Sequence, residues 1–463
     1  MLGLRLKKNG EIALYRQLYQ QLRDQMLSGG LQGGEALPST RTLAESLSIS
    51  RNTVVEAYEL LQAEGFIESR PGAPTRVVPG LDIGRPLNEE KPEPKEKRTG
   101  VSTRVNFKTG QPDLRLFPKY LWNKLTSRVL TDLPPEEFGY RRVEGHPRLR
   151  AEIADWLRRS RGLTADAEDI FISSGATQAL FILADLLNRP GRAFAIESPS
   201  HPGFRSILNF RQYPVKPVPV DENGLRVKSL PNLLSAVYVT PSHQFPLGGI
   251  MEAARRTELI RLARANDFFI IEDDYDSEFR YHGPPVSPIH SLDNSRVIYV
   301  GTFSKSVFPA LRVGFVILPR QFQAGWIERR RYLDVHNPVL EQLTLAEFMR
   351  LRKIDRHIRQ MRSGYAAKRK ILLDEVTGLF RGQARLMGDA AGLHAVMELP
   401  DFMFDDTFIQ RCRGQGLLVQ NLKNYSPDCF DEHRDKLLLG YGHLAADEIR
   451  LGLRILAGEC GFF

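Results

Sequence analysis

Six short apolar segments, separated by stretches of helical periodicity, constrain the fold of this 463-residue chain more than any other feature. Residues 178–187 and 253–265 have the spacing of helices, whereas the apolar segments have the composition of buried strands. Apolar strands that alternate with helices predict an α/β fold with a mostly parallel sheet covered on both faces. Such sheets bind ligands at the carboxyl ends of their strands. The predicted strands are residues 169–173, 193–197, 236–240, 268–272, 297–300 and 313–318.

A change in composition divides the chain. Residues 81–104 are dense in Pro, Glu, Lys and Arg and almost free of aromatic residues, so they cannot bury enough apolar surface to fold alone. We predict an N-terminal domain at residues 1–80, a semi-rigid linker at 81–104 and a large globular domain at 105–463.

Charge and cysteine usage limit the function classes. The net charge of +9 is compatible with nucleic-acid binding but does not establish it. No apolar run approaches the length of a membrane span, and the first residues lack the pattern of a signal peptide. Cys412, Cys429 and Cys460 are far apart and lack metal-site spacing, which indicates reduced thiols. We expect a cytoplasmic protein without a membrane partner.

The N-terminal domain has the pattern of a helix-turn-helix with a wing. An amphipathic helix is predicted over 14–28, followed by helices at 40–47 and 51–63 and a two-stranded hairpin around Pro71 and Gly72. The start of the third helix combines side chains that contact bases or phosphates with a terminus that favours an anion. Periodicity alone leaves a small protein-interaction module as the alternative. The candidate DNA-binding residues are Ser39, Thr40, Arg41, Ser50, Arg51, Asn52 and Thr53.

This segment resembles the GntR-type winged helix-turn-helix, which implies binding to double-stranded DNA. The wing departs from the family, because Pro74 stands in the stretch where a G-x-G-T sequence is usual, and proline fixes the backbone and removes an N–H donor. The matching residues are Leu37, Pro38, Ser39, Arg41, Leu43, Ala44, Leu47, Ser50, Arg51, Thr53, Val54, Ala57, Tyr58, Leu61, Glu64 and Gly65.

The strongest chemical pattern in the large domain surrounds Lys305, which follows the predicted strand 297–300. A lysine just past a buried strand is partly desolvated, and desolvation lowers its pKa and makes it a better amine nucleophile. Thr302 and Arg312 flank it as candidate anion-binding groups. Taken alone, a lysine in a loop of small residues is usually a surface residue.

Other strand ends supply companion groups. Asp273 and Tyr275 are two residues apart and point to the same side of an extended chain, where a carboxylate keeps a pyridine nitrogen protonated. Residues 173–178 form a strand-to-helix turn of small residues that suits a phosphate. His201 follows a further strand and is a candidate for stacking on an aromatic ring. In isolation, each group also fits an ordinary loop.

Together these groups resemble fold type I aminotransferases from about residue 105 to 463. The resemblance implies pyridoxal 5'-phosphate (PLP) as cofactor, a Schiff base at Lys305, and a smaller C-terminal α+β subdomain beside the α/β domain. The loop 240–248 lacks the family's usual asparagine, and His243 and Gln244 are assigned in its place. The implied cofactor-binding residues are Gly175, Ala176, Thr177, His201, His243, Gln244, Asp273, Tyr275, Thr302, Lys305 and Arg312.

A GntR-type domain joined to an aminotransferase-like domain resembles the MocR family of bacterial transcription regulators. The resemblance implies a homodimer that binds repeated half-sites and senses a small amine, an amino acid or PLP itself. Leu438 stands where aminotransferases carry the arginine that grips the substrate carboxylate, and Arg205 is a candidate substitute. We therefore expect a sensor more than a turnover enzyme. An active aminotransferase and a cofactor-free DNA-binding protein remain as alternatives.

Overall fold

The computed structural model describes residues 3–7, 11–81, 103–140, 142–281, 286–388 and 390–463. The chain divides into two compact units, one within residues 1–99 and the other within residues 100–463. The predicted linker at 81–104 lies almost entirely outside the described residues. None of the described helices is both long enough and apolar enough to cross a membrane.

The first unit is a winged helix-turn-helix, as predicted. Ser39 and Ser50 cap the second and third helices, and each side chain accepts a hydrogen bond of 3.1 Å from the backbone N–H three residues later. These caps satisfy donors that a helix start leaves free. The elements are α1 (Leu14–Leu27), α2 (Thr40–Leu47), α3 (Arg51–Ala63), β1 (Ile67–Glu68) and β2 (Arg76–Val77).

A small apolar core holds this unit together. The side chains of Leu18, Leu22, Val54 and Leu61 are fully buried where the three helices meet. Val77 of the wing packs into the same core, and β2 pairs antiparallel with β1. The helix faces that contain the predicted DNA-binding residues lie outside this core.

The second unit contains the remaining elements. Its helices are α4 (Lys119–Asp132), α5 (Pro147–Arg161), α6 (Ala176–Leu187), α7 (Pro202–Phe210), α8 (Ala253–Ala265), α9 (Arg320–Leu333), α10 (Val339–Arg350), α11 (Lys353–Leu379), α12 (Asp406–Gly414) and α13 (Ala446–Glu459). Its strands are β3 (Val105–Asn106), β4 (Ile170–Ser173), β5 (Ala193–Ser198), β6 (Val215–Asp221), β7 (Gly224–Leu225), β8 (Leu234–Val239), β9 (Phe269–Asp274), β10 (Val297–Thr302), β11 (Gly314–Ile317), β12 (Arg385–Met387), β13 (His394–Glu398), β14 (Leu417–Leu418), β15 (Gln420–Asn421) and β16 (Lys436–Gly440).

The large sheet has the strand order β4-β11-β10-β9-β8-β5-β6-β7. Strands β10, β9, β8, β5 and β6 pair in parallel, whereas β11 pairs antiparallel with both of its neighbours. All six predicted strands belong to this sheet, which confirms the α/β fold with a mostly parallel sheet. The consecutive parallel strands bring their carboxyl ends to one edge of the sheet.

Both faces of the sheet are buried, because side chains alternate along each strand. In β5, Phe194 and Ile196 pack against α6 and α7, whereas Ala193 and Ala195 pack on the opposite face with Leu259 of α8. Because both faces are buried, such strands consist of continuous apolar residues in the sequence.

A smaller α+β subdomain follows, as predicted. Its sheet has the antiparallel order β12-β13-β16-β15, and β3 pairs in parallel with β14. Helices α11, α12 and α13 cover this region with an apolar core that includes Leu437, Leu439 and Leu453. Leu438 alternates to the other face of β16, where it lies opposite Val396.

Candidate functional site: a cavity at the sheet edge

A cavity of about 360 Å³ opens at the carboxyl ends of β8, β9 and β10, beside the start of α6. The fold explains this position, since parallel strands leave a crevice beyond their carboxyl ends. The predicted residues that line it are Ala176, Thr177, His201, Asp273, Tyr275, Thr302, Lys305 and Arg312. Gly175 contacts the Arg312 side chain, while His243 and Gln244 lie outside the lining.

Lys305 follows β10 and extends into the cavity. Its Nζ donates a hydrogen bond of 2.7 Å to the backbone carbonyl of Gly110. Burial lowers the pKa of Lys305 below its ordinary value, although the carboxylates of Asp276 and Asp273 oppose this shift. A larger fraction of Lys305 is therefore in the neutral amine form than in an exposed lysine. The neutral amine is the form that attacks a carbonyl carbon.

Asp273 is the second-last residue of strand β9 and lines the cavity. Only one of its two carboxylate oxygens accepts a hydrogen bond from the described residues. The Tyr238 hydroxyl donates to its Oδ2 at 2.6 Å, but Oδ1 is buried and has no hydrogen-bond partner among the described residues. Burial raises the pKa of Asp273 to about 6. A buried acceptor without a donor is costly, so this oxygen suits a protonated ring nitrogen.

Tyr275 is positioned by a buried network behind it. Its hydroxyl donates to the backbone carbonyl of His243 at 3.0 Å and also lies 3.0 Å from His243 Nδ1. The same nitrogen lies 3.0 Å from both carboxylate oxygens of Asp276. Burial opposes protonation of His243, but the Asp276 carboxylate outweighs it and raises the pKa of His243. In this geometry His243 holds Tyr275 and Asp276 rather than lining the cavity.

The start of α6 and the side chain of Arg312 form a cradle for an anion. Gly175 precedes the helix with φ of +88° and no side-chain cap, so the first N–H groups remain available. A Cβ at Gly175 would lie 3.1 Å from the Arg312 guanidinium, which explains the need for glycine. Thr302 Oγ1 lies 2.9 Å from Ser304 Oγ on the same side. Guanidinium, free amides and hydroxyls are the groups that bind a phosphate.

Two further predicted residues have structural roles in the loops around the cavity. His201 caps α7, since its Nδ1 accepts from the Gly203 N–H at 3.1 Å, and desolvation followed by the charge of Lys305 lowers the pKa of His201. Its neutral ring lines the cavity. Gln244 is buried and donates through Nε2 to the carbonyls of Pro199 and Phe245. It fixes the loop instead of facing a ligand.

Several lining residues were missed from the sequence. The tyrosine in the apolar strand 236–240 was a signal for Tyr238, and the third acid of Asp-Asp-Tyr-Asp was a signal for Asp276. Five more of the missed residues come from the segment before α4 and from the small subdomain, far away in sequence. They are Thr109, Gly110, Gln111, Leu393 and His394.

The predicted DNA-binding residues form a polar surface on the first unit. Ser39, Arg41, Ser50, Arg51 and Asn52 are exposed, and Thr40 and Thr53 are half-buried. Arg51 Nε donates to Thr40 Oγ1 at 3.4 Å, so the starts of α2 and α3 lie side by side. Pro74 is exposed in the turn of the wing.

Comparisons with known proteins agree with both units. Residues 14–77 match the family model of bacterial regulatory proteins of the gntR family, and residues 104–426 match the model of aminotransferase class I and II. The chain is 32% identical to "Probable rhizopine catabolism regulatory protein MocR" of Rhizobium meliloti, over 97% of this chain and 94% of that protein. It is 34% identical to the pyridoxine biosynthesis transcriptional regulator PdxR of Corynebacterium glutamicum, over 92% of this chain and 91% of that protein.

A solved structure shows the same fold in the second unit. The crystal structure of an archaeal alanine:glyoxylate aminotransferase is 26% identical, with a TM-score of 0.72, and the match covers 78% of this chain and 91% of that one. The fold, the cavity and these similarities define the class: a GntR-type DNA-binding domain joined to a PLP-dependent, fold type I aminotransferase domain. The chain belongs to the MocR family of transcription regulators and is a PLP-dependent transcriptional regulator.

Proposed function

We propose that this regulator carries PLP on Lys305 and changes its binding to DNA when a small amine, an amino acid or PLP itself occupies the cavity. The observation that carries the proposal is that Lys305 and Asp273 line the same cavity, and that the buried Oδ1 of Asp273 lacks a donor among the described residues. When bound, the cofactor supplies an aldehyde carbon that forms a double bond to a primary amine.

The remaining cavity residues have complementary roles in this proposal. Asp273 keeps the ring nitrogen protonated, and the Tyr275 hydroxyl turns from the His243 carbonyl to donate to the ring oxygen. The neutral ring of His201 stacks on the cofactor ring. The start of α6 and the Arg312 guanidinium bind the phosphate, with Thr302 beside them.

The first unit is the proposed reader of the operator. The start of α3 enters the major groove, where Arg51 and Asn52 contact bases or phosphates, while Arg41 contacts the flanking backbone. As a homodimer, the regulator presents two such readers to repeated half-sites. A ligand shifts the DNA affinity only if it binds the two states of the protein with different affinities.

The relatives differ in the signals that their names suggest. PdxR is named for pyridoxine biosynthesis and MocR for rhizopine catabolism. The first name supports PLP itself as a signal, and the second supports a separate small molecule. Both agree with a site that holds PLP and exposes a reactive carbon.

The second candidate function is that of an active aminotransferase. The observation in its favour is that the cavity contains the lysine and the acid that this chemistry needs. Leu438 argues against turnover, because the usual carboxylate grip is missing at that position. Amino donors mixed with 2-oxo acids separate the two functions. Sustained turnover supports the enzyme, and a spectral change without turnover supports the sensor.

Borohydride reduction of the PLP-loaded full chain tests the proposal directly. We expect the cofactor to become fixed to the peptide that contains Lys305, as measured by mass spectrometry. Lys305→Ala should lose this label. Lys423→Ala, which removes an exposed lysine paired with Asp406, should keep it. A label on another lysine, or none in the wild type, contradicts the proposal.

DNA affinity measured with and without PLP tests the coupling between the two units. A change in affinity that Lys305→Ala abolishes is expected. Equal affinities under all conditions would show that the cavity does not regulate DNA binding.

A further inference from the structure

We infer that the ligand exchanged at Lys305 is a primary amine with an apolar substituent and without a carboxylate on the carbon that bears its nitrogen. This inference rests on the proposed function. It concerns the end of the cavity near the small subdomain, where the ligand's own substituents must lie.

Leu438 belongs to an apolar cluster that reaches the cavity through Phe245. It is fully buried and packs with Phe245, Val396, Leu422 and Tyr425. On β13, Val396 pairs with Leu438, and two residues away His394 pairs with Gly440. His394 and Val396 therefore share one face of the sheet, and His394 lines the cavity. An arginine at position 438 would lie on the same face of the small sheet as His394, which lines the cavity.

The described lining offers a ligand carboxylate no spare fixed cation. Lys305 and Arg312 are the lysine and arginine among these residues, and both have roles toward PLP in the proposed function. Burial lowers the pKa of His394 to about 3, so its ring is neutral. The pKa of His201 is lowered as well. A ligand carboxylate would have to rely on hydrogen bonds from neutral groups such as Thr109 and Gln111, which hold it less strongly than a guanidinium does.

Arg205 does not replace the missing arginine in this structure. It lies on α7 outside the lining of the cavity, and its Nη1 donates to the Asp428 carboxylate at 2.6 Å. Its charge is therefore already compensated. Its Nη2 is buried and has no hydrogen-bond partner among the described residues, so the Arg205→Ala variant below tests whether that nitrogen serves a ligand.

The carboxylates that face the cavity disfavour a further carboxylate. Asp273 and Asp276 line it on the side of Lys305, and a ligand carboxylate placed there would be repelled. Ile207, Phe245 and Leu393 add apolar surface to the lining. A primary amine with an apolar substituent suits these surroundings.

The exchange is balanced without any redox partner. The amine nitrogen attacks the aldehyde-derived carbon, a new carbon–nitrogen bond forms, and the bond to Lys305 Nζ breaks. With the double-bonded nitrogen protonated before and after the exchange, one proton passes from the incoming amine to the departing Lys305 nitrogen. No electron is transferred, and the lysine is left as a free amine.

Matched pairs of ligands test the inference on the PLP-loaded full chain. The probes are 2-phenylethylamine against L-phenylalanine and 3-methylbutylamine against L-leucine, since each pair differs by one carboxylate. The readouts are the absorbance change on titration and the loss of the borohydride label from the Lys305 peptide. We expect each amine to act at a concentration about tenfold or more below that of its amino acid. Equal or better action of the amino acids overturns the inference.

Leu438→Arg tests whether this residue sets the preference. We expect the variant to favour the amino acid of each pair, while Leu438→Met keeps the preference of the wild type. A folded Leu438→Arg protein with unchanged preference shows that Leu438 is not the determinant and overturns that assignment. If this variant does not fold, the comparison of matched ligands on the wild type still decides the ligand class.

Failure of this inference and failure of the proposed function give different results. A borohydride label at Lys305 with no response to any probe overturns this inference but leaves PLP on Lys305. Absence of the label overturns the proposed function and the inference together. A response to the amino acids that Arg205→Ala abolishes identifies Arg205 as the carboxylate anchor and also overturns the inference.

Discussion

The two units hold their functional groups in opposite surroundings. At the start of α3, Arg51 and Asn52 are exposed, and the Arg41–Glu45 ion pair beside them has side chains that are 82% and 69% exposed. Under the cavity, Arg161 and Asp274 form an ion pair whose side chains are 2% and 4% exposed. The same chemical groups are thus exposed to solvent in one unit and part of the interior in the other.

This difference in exposure predicts different effects of substitution on partner binding and on the stability of the fold. An exposed charge loses little hydration when the protein folds, so its removal affects mainly the partner that it contacts. A buried charge must be compensated by neighbours, so its removal leaves another buried charge without a partner. We therefore expect substitutions on α3 to affect DNA binding alone, and substitutions around the cavity to affect the fold or the cofactor.

The largest expected effect is that of Asp274→Asn. Asp274 accepts hydrogen bonds from Arg161 at 2.5 Å and from the Tyr299 hydroxyl at 2.6 Å, and the variant leaves the guanidinium uncompensated. We expect a loss of about 3–5 kcal/mol in the free energy of unfolding of the second unit. Tryptophan fluorescence during urea unfolding measures it, since the three tryptophans of the chain all lie in that unit.

Glu45→Gln is the matched control, because it breaks the exposed pair with Arg41. We expect a change below about 0.5 kcal/mol in the stability of the first unit, followed by circular dichroism. Similar losses in the two variants would remove the contrast between the units.

Asp273→Asn is expected to weaken PLP binding about 10- to 100-fold at pH 8, through loss of a charge-assisted hydrogen bond. Because burial raises the pKa of Asp273 to about 6, the wild-type carboxylate takes up a proton as the pH falls through that value. The advantage of the wild type over the variant should therefore be complete above pH 7 and nearly absent below pH 5. Equilibrium dialysis at several pH values measures the ratio, and a constant ratio would contradict this role.

Apart from the control variants, Arg51→Ala is expected to give the smallest effect, about a tenfold weaker binding to a mixed-sequence DNA duplex. The slope of log affinity against log salt should fall by about one, because one phosphate contact is lost. The PLP spectrum should not change. Arg413→Ala, an equal change in charge on the exposed surface of the second unit, is the control in fluorescence anisotropy and should bind DNA like the wild type.

Much of the fold could be predicted because its signals are local. The bounds of α2, α3 and α8 agree with the predicted ranges, and the six apolar segments all became strands of the large sheet. Lys305 and Asp273 could be placed at one site because each follows or ends a strand of that sheet. Arg312 lies just before β11, which runs antiparallel to β10 and therefore starts at the same edge. A strand end is visible in sequence, and a parallel sheet brings such ends together.

Other parts of the site could not be predicted. Gly110 accepts the Lys305 hydrogen bond from a segment 195 positions earlier, and His394 reaches the cavity from a different sheet. His243 and Gln244 were expected at the ligand, but the structure turns them into the loop interior. The side-chain direction of a loop residue depends on its neighbours in space, which the local sequence does not specify.

The sequence by itself determined the two kinds of unit, the polar surface at the start of α3 and the lysine beyond the end of β10. These features depend on periodicity, caps and spacing, all of which act within a few residues. The tertiary structure alone decided which carboxylate oxygen lacks a donor, that Arg205 pairs with Asp428, and that Leu438 packs in an apolar cluster. Burial and charge compensation decide such matters, and both depend on contacts between residues that are distant in the chain.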